Sequence, residues 1–285
     1  MKKIYEVYLE ALKLCEPYHI LSSDLRVLLA FDMGFASPID TLYYKDKEMN
    51  EEQIALFNSQ VERLKNNEPV EYIVNEANFL DLKLYVDRNV LIPRMETTEL
   101  IANLSEKIYD YFDPRNYLVV ADIGTGSGAI ACAIKNMYKN WLVSASDISS
   151  PALEVAKKNA EKYSLPISFY QGDSLKPYIE RNMNLDIIIS NPPYIVNKKD
   201  VQPSVSFFEP SSALYLDFSS SVYEKILADV NKVKKGSLLI VFEIGYDLKE
   251  YIEDLCKKYL GNYSYKLEFI KDLNDLDRFA FIFLE

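Results

Sequence analysis

Leu118-Val119-Val120-Ala121-Asp122-Ile123-Gly124-Thr125-Gly126-Ser127-Gly128 decides how the chain is read. The run from Leu118 to Ala121 has the length and branching of a buried strand, Asp122 closes it, and a helical pattern opens near Ala129. Between them three glycines fall within five residues, although glycine is scarce elsewhere, with 8 in 285 positions. A strand, close-set glycines and a helix together bring backbone N–H groups up to a nucleotide-like ligand. Outward from this stretch, Tyr117 to Asp122, Leu142 to Asp147, Ile167 to Gln171, Leu185 to Ser190 and Ser237 to Glu243 read as buried strands alternating with helices. That alternation predicts an α/β fold with a Rossmann-like, mostly parallel sheet and helices on both faces. Tyr265 to Ile270 and Phe279 to Leu284 follow with no long helix between them, which predicts a C-terminal antiparallel hairpin at one side of the sheet.

Before the sheet the pattern differs. Residues 1–75 place Ile4, Val7, Tyr8, Ala11 and Leu12, and again Ile54, Phe57, Val61 and Leu64, at helical spacing around a break at Gly34 to Pro38. They read as a small helical domain, for which the resemblance given below implies substrate docking. Over 76–97 the period falls to two, with Leu80, Leu82, Leu84 and Val86 on one face before Val90-Leu91-Ile92-Pro93, so this stretch reads as a β-hairpin linker to the α/β domain over 98–285.

Composition removes several classes. A chain that is 49% hydrophobic and 26% charged is neither disordered nor fibrous. Its net charge of −11 and lack of a basic stripe disfavour a long nucleic-acid footprint. Up to Glu76 there are 8 basic and 14 acidic residues, so about a quarter of the chain holds more than half of the net charge. Cys15, Cys132 and Cys256 are isolated and His19 is the sole histidine, which leaves no disulfide framework or metal site to expect. No uninterrupted apolar stretch follows Lys2-Lys3 and no run nears the roughly 18 residues of a membrane span, so a cytoplasmic chain without membrane contact is expected.

The chemistry-bearing residues follow strand ends. Asp147 ends the second strand, 23 residues after Gly124, where a carboxylate can take both hydroxyls of a ribose. The spacing is Gly-x-Gly-x-Gly, with Ala129 standing where a dinucleotide site has its third glycine, and this favours S-adenosylmethionine over a nicotinamide cofactor. Gly124, Thr125, Gly126, Ser127, Gly128 and Asp147 are therefore the candidate cofactor residues. Asp173, after the third strand, can accept from the exocyclic amine of adenine, or simply cap the next turn.

Asn191-Pro192-Pro193-Tyr194 follows the fourth strand and is the sharpest signal. Each proline fixes its own φ and pushes the residue before it out of the helical region, so the Asn191 side chain is aimed. An amide or ring-conjugated amine is a weak nucleophile that must be oriented. The Asn191 side-chain oxygen and the Pro192 carbonyl can each accept one of its N–H groups, and Tyr194 can pack over the planar group.

Taken together, Asp122 to Gly128, Asp147 and Asn191 to Tyr194 resemble class I S-adenosylmethionine-dependent methyltransferases acting on planar NH₂ groups. Glu68-Pro69-Val70-Glu71-Tyr72-Ile73, Val90-Leu91-Ile92-Pro93-Arg94-Met95-Glu96-Thr97, Phe208-Glu209-Pro210-Ser211-Ser212-Ala213-Leu214 and Phe242-Glu243-Ile244-Gly245 resemble segments of the peptide chain release factor glutamine N5-methyltransferases. The resemblance implies methylation of the glutamine amide in the Gly-Gly-Gln loop of class 1 release factors, tuning translation termination, with S-adenosylhomocysteine as product and the enzyme a monomer. By position it implies Asn191, Pro192, Pro193 and Tyr194 at the glutamine, Asn191 and Ser174 also beside the cofactor, and Pro93 and Arg94 lining the cleft; an ion pair of Arg94 with Glu96 or Glu99 is the plainer alternative. Two departures stand out. Ser174 replaces an aromatic residue found in some relatives, so adenine must stack elsewhere, and Asp275-Leu276-Asp277-Arg278 lacks the glycine often found before the arginine.

Two rival readings remain at this level. A DNA or RNA adenine-N6 or guanine-N2 methyltransferase can use the same turn on a flipped base, though this charge balance offers a phosphate backbone little grip. A catalytically silent scaffold that binds translation factors would have no need of the intact glycine loop and Asn191 turn.

Overall fold

The computed structural model describes residues 1–197 and 201–285. It contains two compact units, Met1–Glu76 with Gln202–Phe208, and Ala77–Val201 with Glu209–Glu285.

In the first unit α1 (Ile4–Cys15), α2 (Ser22–Asp32) and α3 (Glu51–Lys65) follow from the helical spacing. Ile4, Val7, Ala11 and Cys15 of α1 meet Leu25, Leu28 and Leu29 of α2 and Phe57, Val61 and Leu64 of α3 in one core. Helix α3 starts at a reciprocal cap, where Gln53 N–H donates to Asn50 Oδ1 at 2.8 Å and Asn50 N–H donates to Gln53 Oε1 at 3.0 Å.

The second unit holds a seven-stranded sheet of β1 (Val119–Ile123), β2 (Leu142–Asp147), β3 (Ser168–Gln171), β4 (Ile187–Ser190), β5 (Leu238–Glu243), β6 (Tyr265–Lys271) and β7 (Asp277–Leu284). Their spatial order is β6-β7-β5-β4-β1-β2-β3. The first five strands are parallel, and β7 runs antiparallel between β5 and β6, closing the expected hairpin onto one side of the sheet. Side chains alternate between two cores. Val120, Ile187, Ile189, Leu239 and Val241 pack with α4 (Met95–Tyr111) and α5 (Ala129–Met137), whereas Ala121, Ile188, Ile240 and Phe242 pack with α7 (Val222–Asp229) and α8 (Lys249–Leu260). Between β2 and β3 the chain forms α6 (Ser150–Lys162).

Three local expectations are corrected. β3 is only partly buried, because it is the edge strand and pairs with β2 alone. Val90 to Pro93 form no strand. Ala77–Phe79 and Leu82–Leu84 do pair as a hairpin, but it is part of the second unit, since Phe79, Leu82 and Leu84 join the core beside Leu100 and Leu104. Asn159 of α6 secures the following segment: Tyr85 N–H donates to its Oδ1, and its Nδ2 donates to Tyr85 O and Ser127 O, each at 2.9 Å.

Candidate active site

The ends of β1 and β4 lie side by side, with Ile123 opposite Ser190, so the chain leaves the sheet at Gly124 and Asn191 as neighbours. They open on a cavity of about 340 Å³. Gly124 to Ser127, Asp147, Asp173, Ser174, Asn191, Pro192, Pro193 and Pro93 line it, drawn from five separate stretches of sequence. This is where an open parallel sheet holds its ligand.

The glycines divide by role. Gly124 and Gly126 have φ of 72° and 54°, and a Cβ built on either meets no atom within 4 Å, so their bareness leaves open space over the loop. Gly128 does not line the cavity; a Cβ there would sit 3.0 Å from Ala156 Cβ, and its lack of a side chain lets two helices approach. The loop is closed by Asp147, whose Oδ2 accepts from Gly126 N–H and whose Oδ1 accepts from Ser149 N–H, both at 2.9 Å. Burial raises the Asp147 carboxyl, and the N–H donors of Ser149 and Gly126 pull it back. Each oxygen keeps a further lone pair for a ribose hydroxyl.

Farther along the wall, Asp173 Oδ2 accepts from Lys225 Nζ at 2.7 Å. Ser174 lines the cavity with its Oγ buried and without a hydrogen-bond partner among the described residues. Ile148, which the sequence reading did not single out, also lines the cavity and is 66% exposed, an apolar face where an aromatic residue is missing. An open glycine cradle, two carboxylates, an orphaned hydroxyl and an exposed isoleucine fit an adenosine-containing cofactor of a few hundred Å³.

Beneath the loop, the fully buried Asp122 accepts from the Thr125 hydroxyl and from Ala131 N–H through Oδ2. Burial pushes its carboxyl up to about 7. The unfolded chain ionises near 3.8, so between those values the folded state holds a proton the unfolded state lacks and stability falls as pH rises, by about 1.4 kcal/mol per pH unit at most. Thermal melts of Asp122→Asn between pH 4.5 and 7 should show a flatter decline than the parent; parallel curves would exclude a proton there.

The Asn191 turn is held from behind. Asn191 Nδ2 donates to Thr97 Oγ1 at 3.1 Å, and the Thr97 hydroxyl donates to Glu243 Oε2 at 2.8 Å. Burial pushes the Glu243 carboxyl up to about 7. Tyr194 does not reach the cavity wall; its ring packs against the core, with the Arg278 guanidinium 5.7 Å from its centre. Burial, then the Glu243 charge, raise its phenol. The glycine-free loop is thus remote from the turn in sequence but not in space: Arg278 donates to Asp272 and to Ile244 O, each at 3.1 Å, beneath Tyr194.

Arg94 also stands back from the wall. Its guanidinium pairs with Glu209, not with Glu96 or Glu99, and Glu209 further accepts from Ile92 N–H at 3.1 Å. The pair ties the Val90–Pro93 segment to Pro210–Ala213. Thr97, Glu243 and Glu209 were visible only as members of resembling segments, because their partners lie 94 to 146 residues away.

Comparison with known proteins identifies the family. Residues 98–217 match the Methyltransferase small domain and residues 19–74 the PrmC N-terminal domain. The Release factor glutamine methyltransferase of Bacillus subtilis (strain 168) is 37% identical over 257 residues, covering 89% of this chain and 88% of that protein. The protein of the same name from Staphylococcus aureus is 36% identical over 84% of both. Among solved structures, the T. thermophilus 16S rRNA N2 G1207 methyltransferase (RsmC), in complex with AdoMet and guanosine, superposes with a TM-score of 0.51 at 16% identity, covering 74% of this chain and 49% of that one. At that identity the likeness is one of fold.

Proposed function

Because the chain belongs to the release factor glutamine methyltransferases, a family of protein-glutamine N5-methyltransferases, we propose that it methylates the glutamine amide in the Gly-Gly-Gln loop of class 1 release factors, using S-adenosylmethionine, as a cytoplasmic monomer. One observation carries the reading: the glycine loop and Asp147 line the same cavity as Asn191, Pro192 and Pro193.

When bound, S-adenosylmethionine supplies an electrophilic methyl group. Gly124 to Ser127 would lie against its amino-acid and ribose portions, Asp147 would accept from the ribose hydroxyls, and Asp173, Ser174 and Ile148 would hold the adenine. Asn191 Oδ1 and the Pro192 carbonyl would accept the two amide N–H groups of the substrate. With both N–H groups held, the nitrogen lone pair would be turned out of conjugation and aimed at the methyl group; no base is needed beforehand, because S-adenosylhomocysteine would leave as the neutral thioether and the surplus nitrogen proton would be lost after transfer. Pro193 keeps the turn stiff, and the partly buried Tyr194 supports it from below.

The test is transfer from labelled S-adenosylmethionine to purified release factor, to the same factor with its Gly-Gly-Gln glutamine replaced, and to tRNA and DNA. Label on the intact factor alone is expected; label on nucleic acid would overturn the substrate assignment. In the same preparation Asp147→Ala should weaken cofactor binding by about tenfold or more in titration calorimetry, since it removes the ribose acceptor and unlatches Gly126. Unchanged affinity would remove Asp147 from the site.

A further inference from the structure

We propose that Thr97 and Glu243 decide which end of the Asn191 carboxamide faces the cavity, and so are positioning residues for the amide acceptor. The kinetic consequence rests on the methyl-transfer reading; the hydrogen-bond direction does not.

An asparagine carboxamide has two ends of nearly equal size and opposite sense, an acceptor oxygen and a donor NH₂. A substrate that presents N–H groups is helped by the first and repelled by the second. The stiff Asn191-Pro192-Pro193 turn fixes where the carboxamide sits but not which way round it sits. Its orientation comes from behind. Asn191 Nδ2 is 3.1 Å from Thr97 Oγ1, and Thr97 Oγ1 is 2.8 Å from Glu243 Oε2. A threonine hydroxyl has one proton, and an ionised carboxylate can only accept. The proton therefore goes to Glu243, Thr97 has only lone pairs left for Asn191, and Nδ2 must turn inward. Oδ1 is left for the cavity, which Asn191 and Thr97 both line.

The choice of glutamate supports this. Its side chain is fully buried, and Oε1 has no hydrogen-bond partner among the described residues. A leucine would fill the space without leaving a polar atom bare, and a glutamine could bond Thr97 in either direction. Only an acceptor-only group enforces one direction along the relay. The groups facing Glu243 are Thr97 and Glu96 from α4, Tyr194 after β4, Arg278 from β7, and Tyr223 from α7, whose hydroxyl donates to the Glu243 main-chain oxygen at 2.7 Å. Burial raises the carboxyl, and Thr97 and Arg278 oppose the rise. Once protonated, Glu243 can donate, the relay can run backwards through Thr97 to Asn191 Oδ1, and NH₂ then faces the substrate. The productive state is the ionised one, so transfer should fall on the acid side of about pH 7.

The experiment is single-turnover methyl transfer to purified release factor across pH 5.5 to 8.5, with cofactor affinity and melting temperature measured on every variant. Thr97→Val should lower the rate roughly 100-fold with cofactor affinity within twofold, and Thr97→Ser should restore most of it. Glu243→Gln should be slow at every pH and lose the acid limb, whereas the parent falls about tenfold per pH unit below about 7. A second readout needs no substrate. With ¹⁵N-asparagine labelling, hydrogen exchange of the Asn191 NH₂ should be slow in the parent and accelerated in Thr97→Val. A Thr97→Val rate equal to the parent, an acid limb retained in Glu243→Gln, or unchanged NH₂ exchange would each overturn the inference. Exchange that shifts as expected in a protein that does not methylate release factor would instead sink the substrate assignment and leave the positioning role standing.

Discussion

Replacing Asn191 by alanine should lower the rate of methyl transfer by about 100- to 1,000-fold in single turnover while leaving cofactor affinity within a factor of two. The side chain lines the same cavity as the glycine loop and makes its hydrogen bond to Thr97, not to Asp147 or Asp173. On the proposed reading, its loss would remove one of the two acceptors that orient the substrate amide and would leave the Pro192 carbonyl to act alone. An amide held by one N–H can rotate, and most encounters then present the nitrogen with its lone pair conjugated to the carbonyl. The effect is expected in the rate at saturating substrate, because the proposed role of Asn191 is to orient the amide and not to bind the rest of the substrate. Calorimetry with S-adenosylmethionine and quench-flow transfer on the same preparation separate the two quantities. A variant that transfers at the parent rate would remove Asn191 from the chemistry.

Arg94→Ala should cost about 3 kcal/mol of stability, seen as a fall in melting temperature of roughly 6–12 °C. The Glu209 side chain is 1% exposed, and its partners are the Arg94 guanidinium and Ile92 N–H. Without the arginine a carboxylate remains buried with a single backbone donor, a much worse state than no carboxylate at all. Arg94 itself is 30% exposed, so water recovers part of the loss and the figure lies at the low end for a buried pair. Adding Glu209→Gln to Arg94→Ala should restore at least half of the lost stability, because the amide has no charge to strand. Scanning calorimetry on the two single variants and the double completes the cycle. An Arg94→Ala protein that melts with the parent would show that the pair does not hold this part of the fold together.

The parallel sheet could be read from the sequence because each β-strand is a short apolar run bounded by turn residues, and the glycine loop and Asn191 turn because their chemistry is local. Gly126 reaches Asp147 across one β-α-β unit, a connection whose handedness and length are nearly invariant. Register-dependent features were not legible. Glu243 faces Thr97 only because of how β5 and α4 pack, and Arg94 meets Glu209 from 115 residues away, whereas its sequence neighbours Glu96 and Glu99 were the visible candidates. The division of the glycines was hidden for the same reason, since what Gly128 touches is Ala156 on another helix. Val90 to Pro93 misled through their apolar content: Ile92 N–H is bonded to a carboxylate, and Pro93 has none to offer a ladder.

The place of β7 governs when the molecule becomes competent during its own synthesis. β5 pairs with β4 on one side, and on the other it waits for Asp277–Leu284, whose register sets Phe279 against Glu243. A nascent chain already holds every residue of the glycine loop and the Asn191 turn while β5 is still an open edge and Glu243 still meets water. In water that carboxylate ionises like any other and has no reason to hold Thr97 in preference to solvent. The relay can therefore form only once Asp277–Leu284 has been made and paired, later than the glycine loop and the Asn191 turn that it would serve.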